Sequence, residues 1–241
     1  MIPYRDNIPC RYTPWVNWSL IVLNFGIFLL LWFVPDKIQA HFFYLYGLVP
    51  ARYTSPEWAA WAGLAHDDYA PFITHMFLHG GWLHVMLNMW MLWIFGDNVE
   101  DRMGALRYIT FFLFCGLLAA GMQLFVNPES ATPVVGASGA LAGVMGAYFF
   151  MYPYARIVIW VFFLPLFFEI PAIAFVGAWV IFQLYKAMGG GAATDVAWWG
   201  HLGGFAAGIL LHRLFLLPER GSPPGFDPSQ VRSKFKIGPK P

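Results

Sequence analysis

The sequence predicts an all-α polytopic membrane protein, a bundle of six transmembrane helices with both termini in the cytoplasm. Three observations carry that prediction. Of 241 residues, 59% are hydrophobic, 20% are aromatic and only 11% are charged, less than half the charged share usual in soluble domains. A chain so poor in charge cannot cover a water-facing globule, so its surface must meet lipid. Six segments are apolar over a length close to a bilayer crossing, and the basic residues fall almost entirely on one side of them.

A spanning helix needs about 20 mostly apolar residues, with roughly 17–25 tolerated. The segments are Trp18–Val34, Trp82–Phe95, Leu106–Val126, Gly136–Tyr152, Pro171–Met188 and Val196–Leu217. The second is short unless it begins near Phe72. Ile157–Phe168 is apolar but too short to cross, and Pro165 interrupts it, which suits an interfacial or re-entrant piece. With the N-terminus inside, 11 of the 14 Lys and Arg residues lie on the inner side, and only Lys37, Arg52 and Lys186 on the outer, the bias expected of cytoplasmic loops. This arrangement divides the chain into an N-terminal cytoplasmic segment (1–17), a membrane domain (18–217) and a Pro/Gly/basic cytoplasmic tail (218–241) of disordered composition. The outer loop from Pro35 to Pro71 is rich in aromatic rings and suits the interface. The cell (inner) membrane is the expected location.

Other classes drop out on composition. A net charge of +1 gives no footprint for nucleic acid. Cys10 and Cys115 supply neither a disulfide framework nor zinc-ligand spacing. The first apolar segment is as long as a span and lacks a convincing small-residue cleavage site, so it does not read as a signal peptide. The sequence contains no internal repeat and no nucleotide-binding fingerprint.

Chemistry concentrates at the starts of two spans. Ser138 opens the fourth and His201 the sixth, and the topology brings both to the same outer side. His84 and Asn88, four residues apart on the second span, share one helix face. Polar groups inside spans face protein or water, and mark function by default. Around them, Gly136, Gly139 and Gly143 on the fourth span, and Gly200, Gly204 and Gly208 on the sixth, are spaced for close backbone approach. If those helices pack together, His201 can take the proton of Ser138. The free N–H groups at the start of the fourth helix, beginning at Ser138, can hold an oxyanion with side-chain donors from His84 and Asn88. No carboxylate completes a triad: Asp195 falls in a loop and Glu169 on the cytoplasmic side, which favours a Ser–His dyad. Gly136-Ala137-Ser138-Gly139-Ala140 is not the nucleophile elbow of soluble hydrolases, because Ala140 replaces the second glycine and no strand precedes it.

Four motifs, in order, carry a resemblance. They are His79-Gly-Gly-Trp-Leu-His84-Val-Met-Leu-Asn88, then Phe95-Gly96 with Glu100-Asp101-Arg102-Met103-Gly104, then Gly136-Ala137-Ser138-Gly139, then Gly200-His201-Leu202-Gly203-Gly204. From Trp15 to Leu217 the chain resembles the rhomboid intramembrane serine proteases. The resemblance implies Ser138 as nucleophile, His201 as base, and His84 with Asn88 in the oxyanion hole. It also implies a six-helix core with an outward-opening wet cavity, transmembrane proteins as substrates, and no metal or cofactor. His79 matches a structural histidine of the family. Two departures stand out. Ala70-Pro71 replaces the Trp-Arg pair of some bacterial relatives. Ala142 stands where some carry a tyrosine that stacks on the imidazole, which leaves open what orients His201.

Two rival readings follow from the same residues. A non-catalytic rhomboid-like protein would bind membrane clients through the fold alone, although such proteins usually lack the serine or histidine. His75-x-x-x-His79 shares a helix face and invites a haem, metal or transport role, but no acidic partner accompanies it in the apolar segments. The fifth span and the Gly189-Gly190-Gly191 loop are the candidate elements for admitting substrate.

Overall fold

The six apolar segments correspond to the long helices of the computed structural model, which describes residues 2–161, 166–190, 196–218 and 220. In chain order the elements are β1 (Ile2–Asp6), α1 (Trp15–Trp32), α2 (Asp36–Tyr46), α3 (Pro50–Thr54), α4 (Pro56–Trp61), α5 (Pro71–Thr74), α6 (Trp82–Met103), α7 (Ala105–Val126), α8 (Ser138–Met151), β2 (Arg156–Val161), β3 (Leu166–Pro171), α9 (Ala172–Ala187) and α10 (Trp198–Phe215). By length and composition α1 and α7 are able to cross a membrane, and α8 and α9 are shorter apolar helices. Of the tail 218–241, only Pro218 and Arg220 fall within the described residues, as do neither Asp195 nor Gly191.

The helical expectation holds for most of the chain and fails at one end. Ile157–Phe168, expected as an interfacial or re-entrant piece, enters a β-sheet: Arg156–Val161 pairs antiparallel with Leu166–Pro171, and Ile2–Asp6 adds to its other edge in the order β1-β2-β3. Residues Ile157 to Val161 are all β-branched or aromatic, and burial alternates from Ile157 to Trp160, with Ile157 and Ile159 buried, the period-2 pattern of a half-buried strand. Tyr148 Oη of α8 donates to Asp6 Oδ2 at 2.5 Å, which ties the sheet to the end of the central helix.

Helix α6 also runs further than expected. It starts at Trp82, not near Phe72, and continues through Asp97, Asn98, Glu100 and Asp101 to Met103. Glu100 and Asp101 are held in the helix by partners in the chain before and at the start of α1. Glu100 accepts the backbone N–H of Val16 (3.1 Å) and Asn17 (2.7 Å), satisfying orphan donors at the start of α1. Asp101 accepts those of Arg11 and Tyr12 at 3.0 and 2.9 Å. Asn17 in turn donates to Leu92 O (3.1 Å) and accepts from Tyr108 Oη (2.8 Å), locking α1, α6 and α7 together.

The segment between α1 and α6 is a built structure that aims the chain at α8. Arg52 is buried. It donates to Asp68 Oδ2 (2.9 Å), Ala65 O (2.7 Å) and Leu45 O (3.0 Å). Leu48 and Val134 exchange backbone hydrogen bonds of 2.9 and 2.8 Å, Ala51 N–H reaches Ser130 O at 3.0 Å, and Gly136 N–H reaches His75 O at 2.9 Å. The segment entering α8 is therefore held along its length.

Candidate active site

Helix α8 is wedged between α7 and α10. A Cβ on Gly204 would collide with Gly139 O, and one on Gly208 with Gly143 O; a Cβ on Gly139 would lie 2.6 Å from Ala119 Cβ on α7. The glycines thus let one backbone lie against another, the close approach expected of small-x-x-x-small faces. Gly143 fits the same wedge, its missing Cβ facing Cys115. Gly200 departs from that expectation: its nearest neighbours are Ala119 O (3.3 Å) and Gln123 Cβ (3.6 Å), so it packs on α7 instead of α8.

This packing brings the serine and histidine into contact. His201 Nε2 lies 2.7 Å from Ser138 Oγ. His201 is buried, Ser138 half-buried. A cavity of about 20 Å³ touches both, lined also by His75, Gln123, Gly139 and Gly200, which is room for about one water molecule. Gln123 and Val134 also line an adjoining cavity of about 230 Å³ that reaches Asn127, Ser130 and Thr132.

Gly136 sits where its conformation and its surroundings both require the absence of a side chain. Its φ is +120°, and a Cβ there would lie 2.6 Å from His84 Nε2 and 3.4 Å from Asn88 Nδ2. The structure therefore gathers His84 and Asn88 against the turn into α8. Asn88 Nδ2 is buried with no hydrogen-bond partner among the described residues. A buried donor left unmade is costly, and this one lies beside a turn whose following N–H groups are free at a helix N-terminus.

Two glutamines complete the site, and neither stood out in the sequence reading. Gln183 Oε1 of α9 lies 2.7 Å from His201 Nδ1. Gln123 Oε1 of α7 accepts Gly200 N–H at 3.2 Å, supplying the start of α10 with a cap from another helix. The signal that singles out Ser138 and His201 applied equally to Gln183: a polar residue within Ile181-Phe182-Gln183-Leu184 has to face protein. Trp198 meets the His201 imidazole edge-on (5.9 Å, 89°) and Trp179 lies tilted beside it (6.2 Å, 32°). Where Ala142 leaves no ring to stack, these three side chains contact the imidazole instead.

Of the remaining candidates, only His75 reaches the cavity beside this pair. His75 Nδ1 donates to Pro71 O at 2.8 Å. His79 is buried, its ring edge-on to His84 at 5.1 Å, and neither ring nitrogen has a partner among the described residues. Glu169 pairs with Arg156 at 2.8 Å in the sheet, remote from His201 in the fold. Asp195 lies outside the described residues.

The rhomboid domain model matches residues 66–218, more than half of the chain and the stretch that holds all four motifs. The chain belongs to the rhomboid family. Similar proteins include Rhomboid protein 1, mitochondrial, of Saccharomyces cerevisiae, 31% identical over 162 residues, covering 61% of this chain and 43% of that protein. RHOMBOID-like protein 5 of Arabidopsis thaliana is 31% identical over 171 residues, 68% of this chain and 52% of its own length. Rhomboid protease GluP of Bacillus subtilis is 25% identical over 160 residues, 66% of this chain and 28% of its own. The chain thus spans about half or less of the length of these curated relatives. Rhomboid proteins are integral to membranes, and the family includes serine intramembrane proteases.

Proposed function

We propose that this rhomboid is an intramembrane serine endopeptidase that hydrolyses peptide bonds in or next to transmembrane segments of other membrane proteins. The observation that carries the reading is the 2.7 Å contact between Ser138 Oγ and His201 Nε2, made by groups on two different helices. His201 takes the hydroxyl proton as Ser138 attacks the scissile carbonyl. The oxyanion is held by the N–H groups opening α8 and by the side chains of Asn88 and His84. His201 then protonates the leaving amine and activates the water that releases the acyl group. A carbonyl inside a helix is already hydrogen-bonded and shielded, so the substrate must unwind locally at the site.

Topology supports action within the bilayer. In the proposed arrangement the six long helices cross the cell (inner) membrane with both termini cytoplasmic, as the 11-to-3 basic bias indicates. Helix α8 has 14 residues and is about 21 Å long at about 1.5 Å per residue, short of the roughly 30 Å hydrocarbon core. Its inner end is tied to the sheet through Tyr148, so Ser138 sits below the outer surface. Water at that depth requires a protein-lined cavity, and the polar lining of the 230 Å³ cavity adjoining the site suits it.

The test is cleavage of a model single-span substrate in liposomes by the wild type, Ser138→Ala, His201→Ala and Asn88→Ala. Both dyad variants should yield no product, and Asn88→Ala should lose about 10²–10³ in kcat, the usual effect of one oxyanion donor. Equal product from wild type and either dyad variant would refute the mechanism. Labelling by a serine-directed fluorophosphonate, lost in Ser138→Ala, separates the protease from a non-catalytic client-binding rhomboid.

A further inference from the structure

We propose that Gln183 is the positioning residue for the base, accepting a hydrogen bond from Nδ1–H of His201 and so fixing the tautomer that can take the serine proton. The inference rests on the protease reading above. A neutral imidazole has one N–H and one lone-pair nitrogen. Nε2 faces the Ser138 hydroxyl at 2.7 Å and acts as a base only if it is the bare nitrogen, so Nδ1 must carry the hydrogen. Nδ1 faces Gln183 Oε1 at 2.7 Å, an acceptor in the required place. In the opposite tautomer Nε2–H would point at the hydroxyl and could accept nothing from it.

The surroundings of Gln183 argue that the contact is more than packing. The buried residues of α9 are Ala172, Val176 and Gln183. The first two lie in its first turns, so in the second half of the helix Gln183 is the buried contact. Its neighbours Ile181, Phe182, Leu184 and Tyr185 are exposed large apolar residues. An amide in such a place is stabilised only if it is hydrogen-bonded, and an apolar side chain would fill the same space without that demand. Glutamine is also neutral. It stabilises the imidazolium through a carbonyl dipole and places no second charge in an apolar bundle.

The test uses the full chain in liposomes with two variants of similar side-chain length. Gln183→Met removes the acceptor. Gln183→Glu keeps an acceptor, loses the donor and adds negative charge. The other titratable side chain acting on His201 is His84 of α6, unchanged in both. Gln183→Met should lower kcat about 10–10²-fold with little change in KM, less than the ~10⁴ seen when a charged triad partner is replaced. Gln183→Glu should retain most of the activity and move the acidic limb of kcat/KM to higher pH, because a carboxylate favours the protonated imidazole. That shift has no counterpart in a packing role, so Gln183→Glu decides the matter even if Gln183→Met loses its fold. Wild-type turnover in Gln183→Met, or a Gln183→Glu limb that does not move, would overturn the positioning role and leave the dyad standing. A wild type that neither cleaves nor labels at Ser138 would overturn the protease reading, and this role with it.

Discussion

Helices α8 and α9 are neighbours of similar length and similar apolarity, yet they are held in opposite ways. Nine of the fourteen residues of α8 are buried, many of them Gly or Ala, with backbones of α7 and α10 against them. Of the sixteen residues of α9, three are buried, and large apolar side chains cover its outward face. Ser138 thus stands on an enclosed helix, and Gln183, which faces the second nitrogen of His201, on a loosely held one. The difference teaches that apolar composition drives a helix into the membrane but does not pack it there. Close packing in lipid comes from small residues, since lipid tails satisfy large apolar ones as well as protein does.

Overpacking the tight side should give the largest effect. Gly204→Leu forces a branched side chain into Gly139 O, and overpacking of this kind typically costs about 1–3 kcal/mol or more. A lowered thermal midpoint in detergent, with proteolysis abolished, is the expected result; unchanged midpoint and activity would show that α8 and α10 do not need contact. The loose side should tolerate change. Ile181, 70% exposed on α9, should accept Ile181→Ala within about 0.5 kcal/mol of wild-type stability, with kcat retained. A drop comparable to that of Gly204→Leu would erase the contrast between the two helices.

A pH-dependent effect concerns the sheet that anchors the C-terminal end of α8. Burial, aided by repulsion from Asp97 and opposed by the Tyr148 hydrogen bond, raises the Asp6 carboxyl from its ordinary 3.8 to about 7. A carboxyl raised on folding contributes stability that is full below about pH 4 and is lost as pH rises through about 7. The thermal midpoint of the wild type should therefore fall between about pH 4 and 7, and Asp6→Asn should flatten that slope. A slope unchanged in Asp6→Asn would assign it to other groups.

Much of this was legible in the chain, and the misses share a cause. Ser138, His201, His84 and Asn88 stood out because each is polar within an apolar segment, and small-residue spacing joined the two helices that carry Ser138 and His201. Gln183 satisfied the same criterion but carries no charge and no familiar catalytic chemistry. The β1-β2-β3 sheet went unseen because Ile157–Val161 is as apolar in a strand as in a membrane segment. The true length of α6 was hidden because Glu100 and Asp101 read as the end of a span, whereas their partners lie some ninety residues earlier in sequence.

Composition and basic-residue bias alone determined the solvent, the helical class and the expected orientation, because transfer from water to lipid is a property of short segments summed one by one. Motif order alone brought the chain to its family. Only the tertiary structure decided that Gly200 packs on α7, that Gln123 caps α10, and that Gln183 meets the second nitrogen of His201. Those contacts join residues tens of positions apart through hydrogen bonds a few ångströms long, and no local pattern of side chains encodes which distant partner will stand at that distance.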